Sequence, residues 1–206
     1  MKKVAYLTMQ DMGDIVPSTW YDDFESADPA EFFADHRSNK VVIKPTVGAN
    51  AQDAFVLSDP VDEDVLQMLH RTFSTRGFFV QPFIEAIQTE GEYSLFFLNG
   101  DYSHAILKTP GVGDFRVQEE HGANITAVRS PGKLREVANT VFGLIEPTPT
   151  YGRGDWVRAS DGRYLLMELE LIEPSLYLRT DGGAATRFAH AFDQRFQEFA
   201  RVRALG

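Results

Sequence analysis

Cysteine is absent from the 206 residues. That excludes disulfide scaffolds, thiolate metal sites and cysteine nucleophiles, and it suits a reducing compartment. Long apolar runs are lacking too. The opening Met1-Lys2-Lys3-Val4-Ala5-Tyr6-Leu7 breaks at Gln10-Asp11, too early for a signal-peptide core or a membrane span. Positive charge is scarce, with 20 Lys and Arg against 30 Asp and Glu and a formal net charge of -10. A chain this acidic has no electrostatic reason to seek nucleic acid or an anionic membrane. Repeats, low-complexity stretches, a Walker lysine loop, a dinucleotide fingerprint and a nucleophile elbow are all missing. The five histidines show no metal-ligand spacing. These absences lead to the expectation of a soluble, cytoplasmic protein.

What is present is apolar bulk. Hydrophobic residues make up 43% of the chain and 16 of them are Phe, enough for one good core or two small lobes sharing a cleft. Lys40-Val41-Val42-Ile43-Lys44 and Gly77 to Gln81 read as strands running into Pro45 and Pro82. Asp28-Pro29 and Asp59-Pro60 read as helix starts, the second leading into Val65, Leu66, Leu69 and Phe73 at helical spacing. Tyr93 to Leu98, Asn99-Gly100 and Tyr102 to Leu107 form the strongest hairpin signal. A helix is expected after Ser130-Pro131, and a second hairpin around Asp161-Gly162. Phe188, Phe192, Phe196 and Phe199 form a helical stripe that reads as core. The mixed order predicts an α+β architecture of two lobes.

The second hairpin carries acids. Glu168 and Glu170 lie two apart on one strand, so they share a face. With Asp161-Gly162 as a two-residue loop, Asp155 stands opposite Glu168 on that face; a three-residue loop shifts the pairing by one. Three carboxylates together are solvated, protonated or bridged by a cation. Their hard oxygen ligands suit magnesium or manganese. An ordinary solvent-facing edge accounts for the same alternation, and the strand pattern leaves both readings open.

Several segments in order carry a resemblance to the ATP-grasp carboxylate–amine ligases, in the glutathione-synthetase-like and D-cycloserine-ligase-like branch. Val41-Val42-Ile43-Lys44-Pro45 with Gly48 resembles their lysine strand and glycine loop. Val80-Gln81-Pro82-Phe83-Ile84, with Gly91-Glu92 downstream, resembles the segment that clasps adenine and ribose. Lys108-Thr109-Pro110, Gly113-Asp114-Phe115-Arg116 and His121-Gly122 resemble the phosphate and acyl-substrate stretch. Tyr151-Gly152-Arg153-Gly154-Asp155 followed by Glu168-Leu169-Glu170 resembles the metal hairpin, and Glu170 stands where many relatives carry Asn. The glycine loop holds one glycine where the family often has several.

The resemblance implies an ATP-grasp fold of two α+β lobes with ATP and Mg2+ or Mn2+ held between them. It implies an ADP-forming ligase that activates a small-molecule carboxylate as an acyl phosphate for attack by an amine. Residues 1–16 resemble a remnant of the family's N-terminal lobe, 17–84 the small ATP-grasp subdomain and 85–206 the large one with the metal site. The alternative is an ATP-binding module that has lost its substrate lobe. A homo-oligomer is left open.

The same resemblance assigns residues. Lys44, Gly48, Gln81, Pro82, Phe83, Ile84, Glu92 and Lys108 fall to the nucleotide, and Asp155, Glu168 and Glu170 to the metal. Lys108 and Arg116 are the catalytic cations, with Arg116, Arg153 and Ser175 at the substrates. Glu92 faces Lys108 in one hairpin register and misses it by a residue in the other. Lys40 reads as solvated and His104 as packed or hydrogen-bonded.

Overall fold

The computed structural model describes residues 14–47, 52–111 and 114–204. The apolar opening Met1 to Leu7, and Gly48 and Gly113, lie outside the described residues. The chain divides into two compact units, residues 16–85 and residues 1–15 with 86–206. Among the described residues no helix is long and apolar enough to cross a membrane.

The unit of residues 16–85 is a four-stranded antiparallel sheet. Its strands are β1 (Thr19–Tyr21), β2 (Lys40–Pro45), β3 (Phe55–Ser58) and β4 (Phe78–Pro82), in the order β1-β4-β2-β3. Two helices, α1 (Glu31–His36) and α2 (Glu63–Phe73), complete it. The sequence places the second helix start at Asp59; the cap is Asp62, whose carboxylate accepts from the Asp64 amide at 2.8 Å. Phe32, Phe73 and Phe78 are fully buried with Val41, Ile43, Leu57, Leu69 and Val80. Alternate residues of β2 and β4 therefore meet the two helices across one apolar layer.

The other unit holds a five-stranded antiparallel sheet. Its strands are β5 (Glu92–Leu98), β6 (Asp101–Thr109), β7 (Asn124–Val128), β8 (Tyr151–Arg158) and β9 (Tyr164–Glu170), in the order β7-β6-β5-β8-β9. Its helices are α3 (Ala86–Thr89), α4 (Gly132–Gly143) and α5 (Ala184–Ala204). Asn99 and Gly100 turn the β5–β6 hairpin with φ of 50° and 84°, the positive pair that a two-residue hairpin needs. On β9, Leu166 pairs in parallel with Ile15 and donates its amide to the Asp14 carbonyl at 2.8 Å.

One face of this sheet is closed by α4. Phe142 stacks on Phe97 with ring centroids 3.9 Å apart. The slot for that ring is made by glycine: a Cβ on Gly152 would lie 2.6 Å from Phe142 Cε1, and one on Gly154 2.7 Å from Trp156 Nε1. The glycines on β8 are therefore a packing requirement of the face opposite the carboxylates.

Helix α5 departs from expectation. Its buried contacts are Ala184 and Ala191, and it is anchored by the Asn99 amide on the Ala191 carbonyl at 3.0 Å and by Arg195 on the Thr148 carbonyl. Phe192, Phe196 and Phe199 are 56%, 67% and 65% exposed, so most of the expected core stripe faces outward. Helical spacing identifies residues that share a face, not which face is covered.

The glycine slot gives a stability prediction. Gly152→Ala must displace an aromatic ring and is expected to cost about 1–3 kcal/mol. Gly143→Ala, at the last position of α4 with nothing within 4 Å of the added carbon, is expected to stabilise by up to about 1 kcal/mol. Urea unfolding midpoints of the two variants check both.

Candidate functional site

The face of the second sheet opposite α4 collects charge from four adjacent strands. Lys108 on β6 pairs with Glu92 on β5. Ser94, two residues along β5, pairs with Asp155 on β8. Asp155 pairs with Glu168 on β9, and Arg153 with Glu170. The period of two along each strand brings all of these side chains to one surface.

The Asp155–Glu168 pairing is reached by an unexpected route. The Ala159 amide donates to the Arg163 carbonyl at 2.8 Å, so the turn has three residues, Ser160, Asp161 and Gly162. Near the turn Arg158 pairs with Tyr164 and Trp156 with Leu166, one out of step with the two-residue count. A bulge at Met167 then adds one residue on β9 and restores Asp155 to Glu168. It also places Leu165 on the carboxylate face, opposite Val157.

Asp155 is the hub. Its carboxylate is 2% exposed and accepts from Ser94 Oγ at 2.5 Å, Lys108 Nζ at 3.3 Å, and Arg153 Nε and Nη2 at 3.1 and 3.0 Å. Lys108 Nζ also donates to Glu92 Oε1 at 3.0 Å, and Arg153 Nη2 to Glu170 Oε1 at 2.7 Å. Burial alone would push the Asp155 carboxyl up. The Arg153 and Lys108 cations and the Ser94 hydroxyl outweigh it and hold the pKa at about 2. Burial dominates at Glu92 and raises its pKa, opposed by Lys108 and reinforced by Asp155 and Glu168. At Lys108, Asp155 and Glu92 together outweigh burial and keep the ammonium charged.

Four carboxylates, Glu92, Asp155, Glu168 and Glu170, thus share two cations, Lys108 and Arg153. Asp155, Glu168 and Glu170 each bring a ligand oxygen within 4.8 Å of the others. The donors are carboxylate oxygens only, the set that a hard divalent cation takes. Excess negative charge on a partly buried surface fits such an ion.

Arg153 reaches further, its Nη1 donating to the Ser175 carbonyl at 3.3 Å. Ser175 lies on the strap after β9, held there by its backbone. Arg116, on the loop after β6, is paired locally with Asp114 through Nε and Nη2. That arginine and two backbone amides hold Asp114 well below the usual carboxylate range.

The remaining nucleotide candidates stand in the first unit. Lys44 is on β2 opposite Phe79. Gln81 is 1% exposed, and its Nε2 donates to Ser18 Oγ at 2.9 Å. Pro82 closes β4 opposite Val41, and Ile84 follows, half-buried. Phe83 is buried beneath the Lys40 ammonium, 3.7 Å from the ring centroid. Lys40 also pairs with Glu85 at 3.5 Å and is not simply solvated. Sequence reasoning gave Ser94 no hydrogen-bonding role; its place two residues beyond Glu92 on the same strand was the available signal.

No family model matches the chain. Over 175 residues it is 32% identical to the cycloserine biosynthesis protein DcsG of Streptomyces lavendulae, covering 78% of this chain and 56% of the relative. The crystal structure of D-cycloserine synthetase DcsG matches with a TM-score of 0.80 at 28% identity, over 94% of this chain and 69% of that one. The chain is a relative of DcsG and shares its fold. The same fold is seen in D-alanine–D-alanine ligase from Bacillus anthracis, with TM-score 0.69 and 17% identity over 98% of this chain and 66% of that one. It recurs in the ATP-grasp ligase PsnB, with TM-score 0.65 and 17% identity over 94% and 60%. The chain therefore spans a little over half the length of the curated relative it matches.

The ion cluster of this chain predicts a pH signature. Asp155 has a folded pKa of about 2, below the unfolded value of about 3.9. Its stabilising contribution is complete above about pH 4 and is lost as the pH falls toward 2. Asp155→Asn leaves two buried cations short of a partner and is expected to cost about 3–5 kcal/mol at pH 7. Glu92 has the opposite sign: its raised folded pKa costs stability as pH rises above about 4.3. Glu92→Gln should therefore gain on the wild type over that rise. Urea unfolding at pH 7, 4 and 2.5 measures all three proteins.

Proposed function

We propose that this chain is, or is the nucleotide-binding part of, a cytoplasmic ADP-forming carboxylate–amine ligase. The supporting observation is the row Lys108, Glu92, Asp155, Arg153, Glu168 and Glu170 on one sheet face, in a relative of DcsG. A carboxylate oxygen of the acid substrate attacks the γ-phosphorus of ATP, the bond to the bridging oxygen breaks, and ADP leaves. The amine nitrogen then attacks the acyl carbon, phosphate departs, and the nitrogen loses a proton. Phosphoryl transfer of this kind is catalysed mainly by positioning and charge neutralisation.

The roles follow from charge. Asp155, Glu168 and Glu170 would hold magnesium or manganese, which supplies neutralisation of phosphate oxygens when bound. Lys108 and Arg153 are cations beside that set, suited to the charge that spreads over a transferring phosphoryl group. Arg116 keeps Nη1 outside its pairing with Asp114 and is assigned to a phosphate or the substrate carboxylate. Glu92 is assigned to the ribose hydroxyls, Lys44 and Gly48 to phosphate, and Gln81, Pro82, Phe83 and Ile84 to adenine, as in the resembling segments. Ser175 is assigned to the amine substrate.

Incubation with ATP, magnesium and a panel of amino acids should release ADP. Tight metal-dependent ATP binding without ADP would instead support an ATP-binding module, and no ATP binding would overturn both. Glu168→Gln is expected to weaken magnesium-dependent ATP binding by about tenfold or more, while Glu173→Gln stays within about twofold. Titration calorimetry with ATP and magnesium compares them, and equal effects would remove the metal assignment.

A further inference from the structure

The strap that follows β9 is gripped at two consecutive carbonyls. Arg153 holds the Ser175 oxygen, and His104 on β6 holds the Leu176 oxygen through Nε2 at 3.0 Å. Glu173 and Tyr177, which bracket the gripped pair, both have positive φ, 52° and 45°. Neither is glycine, so this backbone is disfavoured by itself and needs outside support. His104 is 4% exposed, and its ring stacks on Phe96 at 4.3 Å and 13°.

The hydrogen bonds around His104 have one consistent direction. A carbonyl only accepts, so Nε2 carries the proton. On the other side Nδ1 lies 3.0 Å from Ser103 Oγ. Arg187 Nε donates to that same oxygen at 2.9 Å, and Arg187 Nη2 donates to Asp181 at 2.6 Å. Ser103 therefore spends an oxygen lone pair on Arg187 and turns its hydroxyl proton to Nδ1. Burial lowers the His104 pKa, with Arg187 adding to the shift and the Leu176 carbonyl and Asp181 opposing it. The neutral Nε2–H tautomer satisfies every partner.

We propose that His104 is a positioning residue for the amine substrate: by donating from Nε2 to the Leu176 carbonyl it fixes the strap that carries Ser175 beside Arg153. This rests on the ligase reading above. His104 touches no reacting atom; it acts through the strap, and the chain Asp181–Arg187–Ser103 selects its tautomer.

Two substitutions separate the two ends of the ring. His104→Gln places an amide nitrogen where Nε2 stands, and His104→Asn places its amide near Nδ1. Amides of Glu173 and of residues 175–178 should exchange with deuterium about tenfold faster in His104→Asn and near the wild-type rate in His104→Gln. In the wild type, nitrogen resonances of labelled histidine should show Nε2 protonated and Nδ1 bare. With ATP, magnesium and the amino acid that supports ADP release, His104→Asn should raise the KM for that amino acid about tenfold. Its KM for ATP and its kcat should stay within about twofold, and His104→Gln should restore the wild-type values. Ser103→Ala is the milder variant should His104→Asn not fold, and it should move strap exchange the same way by less. Equal exchange or equal KM in the Gln and Asn variants, or an Nδ1–H tautomer, overturns the proposal. If no amino acid elicits ADP, the ligase reading fails alone, and exchange and tautomer still decide whether His104 sets the strap.

Discussion

The Asp155 carboxylate is the point on which the second unit's charged face depends. It is almost fully buried, yet it accepts from a serine, a lysine and an arginine on three different strands. Remove those donors and burial would push its pKa up. With them it stays ionised, and its charge in turn keeps Lys108 and Arg153 inside the protein. Buried ion pairs are weak evidence for stability, because desolvation offsets much of the Coulomb attraction. A cluster with more acids than bases is weaker evidence still. Its excess of acids is the feature on which the proposed metal role rests.

That surface exists only if four strands are in register. The β5–β6 pairing could be counted from Asn99-Gly100, but a one-residue ambiguity left Glu92 opposite Lys108 or beside it; the structure has them opposite. At β8–β9 a two-residue count reached the right partner through two compensating departures. The turn is one residue longer, and Met167 is bulged. Nothing about a methionine between Leu166 and Glu168 marks a bulge. What marks it is the demand on both faces: Leu166 must meet Trp156 in the core while Glu168 meets Asp155 outside, and strict alternation cannot serve both pairings.

Other features were legible only in part, for reasons of the same kind. Local signals carry local structure, and both hairpins, α2 and α4 stood out in composition and spacing. Strand β7 did not, because Asn124–Val128 is an edge strand with little burial and no clean alternation. The Phe face of α5 had the right period and the wrong partner. Among the site residues, the carboxylates and cations could be picked by type and order. Their bonding could not: Gln81 turns its amide to Ser18, and Lys40 lies over Phe83. Side chains from distant segments decide such contacts, and a single sequence does not list them.

The pairing pattern also constrains how the face would be used. Lys108 Nζ donates two of its three protons, to Glu92 and Asp155, so it can offer a phosphate the third and can offer more only if a carboxylate gives way. Asp155 is anchored by Ser94 and doubly by Arg153, and its pKa is depressed, so it keeps its charge and its place. Glu92 has Lys108 as its one hydrogen-bonded cation among the described contacts, and burial already favours its neutral form. Glu92 is therefore the partner that yields more readily, by taking up a proton or by turning to another donor such as a hydroxyl. Arg153 is bound on three sides, to Asp155, Glu170 and the Ser175 carbonyl. An ion or phosphate that redirected Arg153 would loosen its hold on the Ser175 carbonyl and leave the strap to the His104 contact at Leu176.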